Sequence, residues 1–290
     1  MIEGWNGAST LRVPGPLVSA EWLAADLWHP ALVVLDASWY LPGSGRDAEA
    51  EWLQGHIPGA RLFDFDTRIC DRDSPLPHML PGAAQFTAEV QSLGVAADSA
   101  VVVYDGAGIF GSARAWWMFR AMGFDNVAVL DGGFPAWLAA DLPTEAGVPA
   151  VPAPGDFTAR LQAGRVADAA RVLRAIGEPG IALVDARPAE RFHGRMPEPR
   201  PGLRRGRIPG SVNLPHGELL RDGHLRPAAE LRTLLREQVP PGGGLILSCG
   251  SGVSACVLAL AAEVAGYDDW AVYDGSWSEW GAADGLPVEQ

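Results

Sequence analysis

Residues 245–257 read Leu-Ile-Leu-Ser-Cys-Gly-Ser-Gly-Val-Ser-Ala-Cys-Val, and the organisation of the chain can be worked out from them. Leu245-Ile246-Leu247 is a short apolar run of the kind that forms a buried strand. It stops at Cys249, and the small residues Gly250-Ser251-Gly252-Val253-Ser254 follow as a loop. Ala255 to Ala265 then has the composition of a helix. The spacing places a cysteine at the carboxyl end of a strand and ahead of a helix amino terminus, the edge where open α/β sheets bind ligands. Unpaired backbone N–H groups and the positive end of the helix dipole favour a thiolate over a thiol at such a place. The glycines let the backbone curl until its amides face the sulfur or a bound anion.

The surrounding sequence repeats itself. Leu32-Val33-Val34-Leu35-Asp36-Ala37 matches Ile181-Ala182-Leu183-Val184-Asp185-Ala186, and Gly55-His56-Ile57-Pro58-Gly59 matches Gly206-Arg207-Ile208-Pro209-Gly210. Ala100–Gly106 matches Gly244–Gly250, and Val129-Leu130-Asp131-Gly132-Gly133 matches Val272-Tyr273-Asp274-Gly275-Ser276. The offset is that of a duplicated domain, far too long for a solenoid. Each half alternates apolar strands with helical stretches, which predicts an α/β fold: two tandem domains, each a mostly parallel sheet flanked by helices on both faces. Four prolines between Pro143 and Gly155 exclude a helix or central strand there. The expected division is a first domain over 9–143, a linker over 144–158 and a second domain over 159–288. Where the second half has Cys249, the first has Asp105, so only one half is equipped for thiol chemistry.

Composition bounds the function further. The net charge of −13 argues against nucleic acid or an anionic membrane as partner. All 22 basic residues are arginine, which excludes Schiff-base chemistry and a P-loop lysine. Seven of those arginines lie between Arg187 and Arg207, a basic segment that suggests a small anionic ligand, the alternative being a solvated loop with surface ion pairs. No apolar run is long enough to cross a bilayer, and the stretch from Met1 to Gly15 has no basic and apolar regions of a leader. Three cysteines do not make a disulfide framework, so a reducing cytoplasm is the expected compartment. Histidine and cysteine spacings give no metal site, and no cofactor is implied. No arginine follows Cys249, which excludes a Cys-x5-Arg phosphatase loop.

Four side chains have bland readings beside these. Cys256 reads as a core residue of the apolar helix, and Cys70, in a polar loop, as an incidental thiol. The Gly-His-Ile-Pro-Gly and Asp-Gly-Gly-Phe stretches read as turns belonging to the fold, with His56 on the solvent side. Asp185, at a strand end, reads as an orienter of an arginine or a cap for backbone N–H groups.

Taken together, the duplicated α/β pattern and the loop Cys249-Gly250-Ser251-Gly252-Val253-Ser254-Ala255 resemble the rhodanese, or sulfurtransferase, superfamily in its tandem form. The loop is similar to the C-G-S-G-V-T-A of the branch that uses 3-mercaptopyruvate, with serine for threonine at 254. Thiosulfate-using members tend to carry arginine and lysine where this chain has Gly250 and Ser251. The resemblance implies that Cys249 is the nucleophile that becomes a persulfide. It implies that Arg191 and Arg200 bind the carboxylate and carbonyl of the donor, and that the backbone from Gly250 through Gly252 and Val253 to Ser254 cradles the sulfur. It implies a proton relay of Ser251, His78 and Asp66, the last two from the first half, although one extra residue separates them here. The acceptor it implies is a thiol such as a thioredoxin-like protein, or cyanide. Two alternatives stay open: a thiosulfate:cyanide sulfurtransferase of the same fold, and a non-catalytic sulfur carrier or protein-binding module.

Overall fold

The computed structural model describes residues 10–239 and 243–290. The expected start of the first domain, residue 9, lies outside them, as does most of the stretch read for a leader. The first half runs β1 (Leu17–Val18), α1 (Ala20–Asp26), β2 (Leu32–Asp36), α2 (Ala48–Gln54), β3 (Arg61–Leu62), α3 (Ala83–Ser92), β4 (Ala100–Tyr104), α4 (Gly111–Ala121), β5 (Val127–Leu130) and α5 (Gly133–Ala139). The second half runs β6 (Val166–Ala167), α6 (Ala169–Ala175), β7 (Ile181–Asp185), α7 (Ala189–Phe192), β8 (Val212–Asn213), β9 (Leu220–Arg221), β10 (His224–Leu225), α8 (Ala228–Gln238), β11 (Gly244–Ser248), α9 (Ser254–Ala265), β12 (Trp270–Tyr273) and α10 (Ser276–Trp280).

The duplication is exact in topology. The sheets have orders β1-β5-β4-β2-β3 and β6-β12-β11-β7-β8, with all pairs parallel. The central strands β2, β4, β7 and β11 are continuous apolar runs because helices cover both sheet faces. Side-chain caps start several helices: Ser19 accepts from the N–H of Trp22, Asp47 from Ala50 and Asp168 from Arg171. The small outer ribbon of β9 and β10 carries no clear apolar alternation and was not foreseen from the sequence.

Helix α9 sets the relation between the halves. It is apolar all round and buried from Ser254 to Ala262, the pattern of a helix enclosed on every side. It packs between its own sheet and α4 of the first half, and one apolar core runs through both halves. The loop ahead of α9 therefore opens onto the seam between the domains, where residues of the first half reach it. No helix among the described residues is long and apolar enough to cross a membrane.

The linker segment is extended, and it covers part of the first half. The N–H of His56 donates to Glu145 O and that of Glu145 to His56 O, both at 2.9 Å. That cover corrects the expectation of a solvent-side His56. The ring is fully buried, stacked on Trp52, with Nδ1 2.9 Å from Trp52 O. Further on, Gly155, Arg160 and Gln162 all donate backbone bonds to the first half. In the second half the chain end does the same work: Arg207 and Glu289 exchange backbone bonds of 2.8 and 3.0 Å. A second correction concerns the Asp-Gly-Gly-Phe motif and its repeat, since each opens a helix, α5 and α10, beyond the turn.

Candidate active site

Cys249 follows β11 directly and is 1% exposed. Around it, the carbonyls of Cys249, Gly250 and Gly252 are taken up by protein, while the amides from Gly250 to Val253 are not. Cys249 O accepts from Trp277 N at 2.9 Å, and Gly250 O accepts from both the N–H and the hydroxyl of Ser278 at 2.8 Å. Gly252 O is held by Cys256 Sγ at 3.1 Å and by Arg114 Nη1 at 3.2 Å. The N–H groups of Gly250, Ser251, Gly252 and Val253 find no protein acceptor among the described residues. A row of unpaired backbone donors beside a cysteine suits a thiolate or a persulfide anion. Gly252 has φ +79° and could carry no side chain, because a Cβ would lie 2.7 Å from Asp274 O.

The repeat in the first half shows the same cradle closed from within. Asp105 accepts from the N–H groups of Ala107 and Phe110 at 2.8 Å, from Ser112 N at 2.9 Å and from the Ser112 hydroxyl at 2.7 Å. Its own carboxylate is the anion in that loop.

The arginine segment divides into holders and presenters. Arg187 is buried, bonded to Asp185 through Nε and Nη2, to Glu198 through Nη1 at 2.8 Å, and stacked over Trp277. Asp185 thus orients an arginine, as read from sequence. Glu198 in turn holds Arg191, whose Nε lies 3.1 Å from the carboxylate. Arg191 rests against the cysteine loop: a Cβ on Gly250 would be 3.0 Å from its Nη2. Any side chain at position 250 would therefore press on Arg191. Arg204 bonds the carbonyls of Trp280, Gly281, Ala283 and Leu286, a structural role.

Three of the relay and binding candidates meet across the seam. His78 Nδ1 pairs with Asp66, and its Nε2 lies 3.5 Å from Arg200 Nη2. This makes Nδ1 the protonated nitrogen and leaves Nε2 as an acceptor facing Arg200. The ring is buried, edge-on to Trp39 at 4.9 Å, with the backbone at φ +58°. Burial holds the imidazole below its ordinary pKa, against the opposing pull of Asp66. Asp66 is held below the usual carboxylate range by its bond to His78. Ser251 is buried, but no direct hydrogen bond joins it to His78. Cys256 is fully buried, and Cys70 is buried too, its Sγ 3.2 Å from Asp66 O.

The pH dependence follows in sign. A neutral imidazole is kept neutral until the pH falls below the free value of about 6.5. Donor turnover should hold from neutrality down past that value, then fall. In Asp66→Asn the carboxylate that favours imidazolium is gone, so the acid limb should move to lower pH, with kcat down roughly tenfold from lost orientation. Rate profiles of the two proteins check this; an unmoved limb means that His78 is not the titrating group.

Four contributors escaped the sequence reading: Arg114, Asp274, Ser276 and Ser278. Ser276 Oγ accepts from Cys249 N at 3.1 Å and donates to Tyr273 O at 2.7 Å, so its single proton is committed to the backbone rather than to Cys249 Sγ at 3.9 Å. A signal existed. Ser276 sits at φ +49° where the disarmed half has Gly133 at φ +59°, so a serine takes a glycine conformation only beside the cysteine.

Both halves match the rhodanese-like domain family, over residues 19–140 and 168–283, and the chain belongs to that family. The 3-mercaptopyruvate sulfurtransferase of Rattus norvegicus is 46% identical over 273 residues, covering 91% of each chain. That of Escherichia coli K12 is 43% identical over 274 residues, 94% of this chain and 97% of the relative. The thiosulfate sulfurtransferase of Gallus gallus is 44% identical, covering 91% of this chain and 92% of its own. Among solved structures, the Escherichia coli 3-mercaptopyruvate enzyme superposes with a TM-score of 0.82 at 39% identity, over 91% of this chain and 99% of that one.

Proposed function

We propose that this protein moves sulfur from 3-mercaptopyruvate to a thiol acceptor through a persulfide on Cys249. The observation that carries the reading is the cysteine loop itself: its N–H groups from Gly250 to Val253 have no protein acceptor among the described residues, the loop has no cationic side chain of its own, and Arg191 rests against Gly250. The Cys249 thiolate attacks the donor's sulfur, the carbon–sulfur bond breaks, and its electron pair leaves on the enolate of pyruvate. Protonation of that carbon gives pyruvate and leaves one sulfur atom on Cys249. An acceptor thiolate then takes the outer sulfur and returns Cys249 as thiolate.

Arg191 and Arg200 bind the 2-oxo carboxylate, for which planar guanidinium groups offer two-point contact. A carboxylate that draws Arg200 aside frees His78 Nε2 to take up, through Ser251, the proton that the donor thiol brings to the new persulfide; the imidazolium, held by Asp66, returns it through Ser251 to the enolate carbon, which leaves pyruvate and the persulfide anion. The acceptor is a small thiol or a thioredoxin-like protein. Reducing cytoplasm suits a chain whose three cysteines are all unpaired.

Thiosulfate is the competing donor, since a relative named for it is about as similar as those named for 3-mercaptopyruvate. The loop favours 3-mercaptopyruvate: it carries no arginine or lysine of its own at 250 and 251, and a side chain at 250 would have to displace the Arg191 guanidinium that the 2-oxo carboxylate needs. With both donors at matched concentrations, kcat/KM for 3-mercaptopyruvate should exceed that for thiosulfate by at least about tenfold. The reverse order would make the protein a thiosulfate sulfurtransferase, and turnover of neither a carrier module.

A further inference from the structure

We propose that Arg114, from the disarmed half, is the positioning residue that aims the Val253 amide at the sulfur of Cys249. The proposal rests on the sulfur-transfer reading and adds to it a reason for keeping the first domain. A trans peptide is planar, so the C=O of Gly252 and the N–H of Val253 point in opposite directions. Whatever fixes that carbonyl fixes the direction of that amide. Arg114 Nη1 lies 3.2 Å from Gly252 O and 2.5 Å from Asp274 Oδ1, while Nη2 donates to His78 O. Asp274 Oδ2 accepts from Leu80 N at 2.7 Å, which ties the segment bearing His78 to the same group. One fully buried guanidinium thus connects the sulfur loop, the residue that leads into the Ser276–Ser278 turn, and the backbone of His78.

The arrangement runs one way. Arg114 projects from α4, and the matching turn of α9 offers only Val257 and Leu258, both apolar and buried. Nothing equivalent reaches back to the loop of Asp105. A buried charge in the helix–helix seam is a costly feature, and apolar packing would serve adhesion of the halves as well. Holding a carbonyl at a set angle needs a donor with fixed directions, which the guanidinium fork supplies and an ammonium does not.

The test reads the thiol without needing a sulfur donor. Alkylation of Cys249 by iodoacetamide at pH 7 should be about tenfold slower in Arg114→Lys, and in the charge-neutral pair Arg114→Gln with Asp274→Asn, with the rate recovering at higher pH. Cooperative thermal melting identifies the variants that fold. A folded variant that keeps the wild-type alkylation profile overturns the proposal. A second readout requires no substitution at Arg114: the Val253 amide proton resonance of the wild type should follow ionisation of the Cys249 thiol, and should lose that dependence in Cys249→Ser. A Val253 resonance that ignores the thiol overturns the proposal as well. Turnover of 3-mercaptopyruvate by the wild type is scored separately, so a failure of the sulfur-transfer reading is distinguishable from a failure of the role of Arg114.

Discussion

Cys249→Ser is expected to lower turnover at least about 10⁴-fold with either donor, because a serine hydroxyl is not ionised near neutrality and cannot carry the transferred sulfur. The substitution is nearly isosteric, and the sulfur makes no hydrogen bond shorter than the 3.9 Å approach of Ser276. The backbone of residue 249 is held independently, through Ser276 Oγ and Trp277 N. Melting should therefore be little changed, which makes lost activity a chemical result rather than a folding one. Intact-mass measurement after exposure to 3-mercaptopyruvate should show one added sulfur on the wild type and none on the variant. Retained turnover, or sulfur loading at another cysteine, would remove the assignment.

The second large effect belongs to the two presented arginines. Arg191→Ala and Arg200→Ala should each lower kcat/KM for 3-mercaptopyruvate by about 10²-fold, mostly through KM, since a carboxylate bound alike in ground and transition states contributes uniform binding. The structure explains why the fold should tolerate both. Glu198, the partner of Arg191, keeps its 2.8 Å bond to Arg187 when Arg191 is lost. Arg200 contacts His78 only at 3.5 Å. Lysine should restore part of the charge but not the two-point grip, so recovery should be incomplete. Inhibition by pyruvate, which shares the carboxylate, should weaken in parallel. An unchanged KM accompanied by a lower kcat would move these arginines out of substrate binding and into the relay.

The fold was largely legible because its strongest signals are local and doubled. The apolar strand at Leu245–Leu247 and the helix α9 lie within a residue or two of where their patterns place them, and each half alternates strands and helices as its sequence does. The two-residue edge strands β1, β3 and β6 escaped notice, since too few residues carry a period, whereas β8 falls on an apolar run read near 212–214. His56 was misplaced because its burial comes from the linker, a contact across about 90 residues that no local pattern encodes. The cysteine loop was readable as a loop, but the groups that shape it were not. Ser278 and Arg114 act through the loop's carbonyls and Ser276 through the N–H of Cys249, so they leave no motif beside the cysteine. Arg114 was hidden inside an otherwise apolar helix, where a charge has a reason that only the packed seam reveals.

The internal anion of the first half bears on how such a protein changes over time. The carboxylate of Asp105 satisfies three backbone N–H groups and one hydroxyl in its own loop. Restoring a cysteine there by one substitution would leave those donors without a strong acceptor, at about 1–3 kcal/mol for each buried one. That single change would lower stability before it supplied any chemistry, and among the described residues the guanidinium that reaches a carbonyl of that loop, Arg46 at 3.5 Å from Gly106 O, comes from the same half. The first domain is thereby fixed as a scaffold for its neighbour, since a cysteine placed at 105 by one substitution costs stability without supplying a second site.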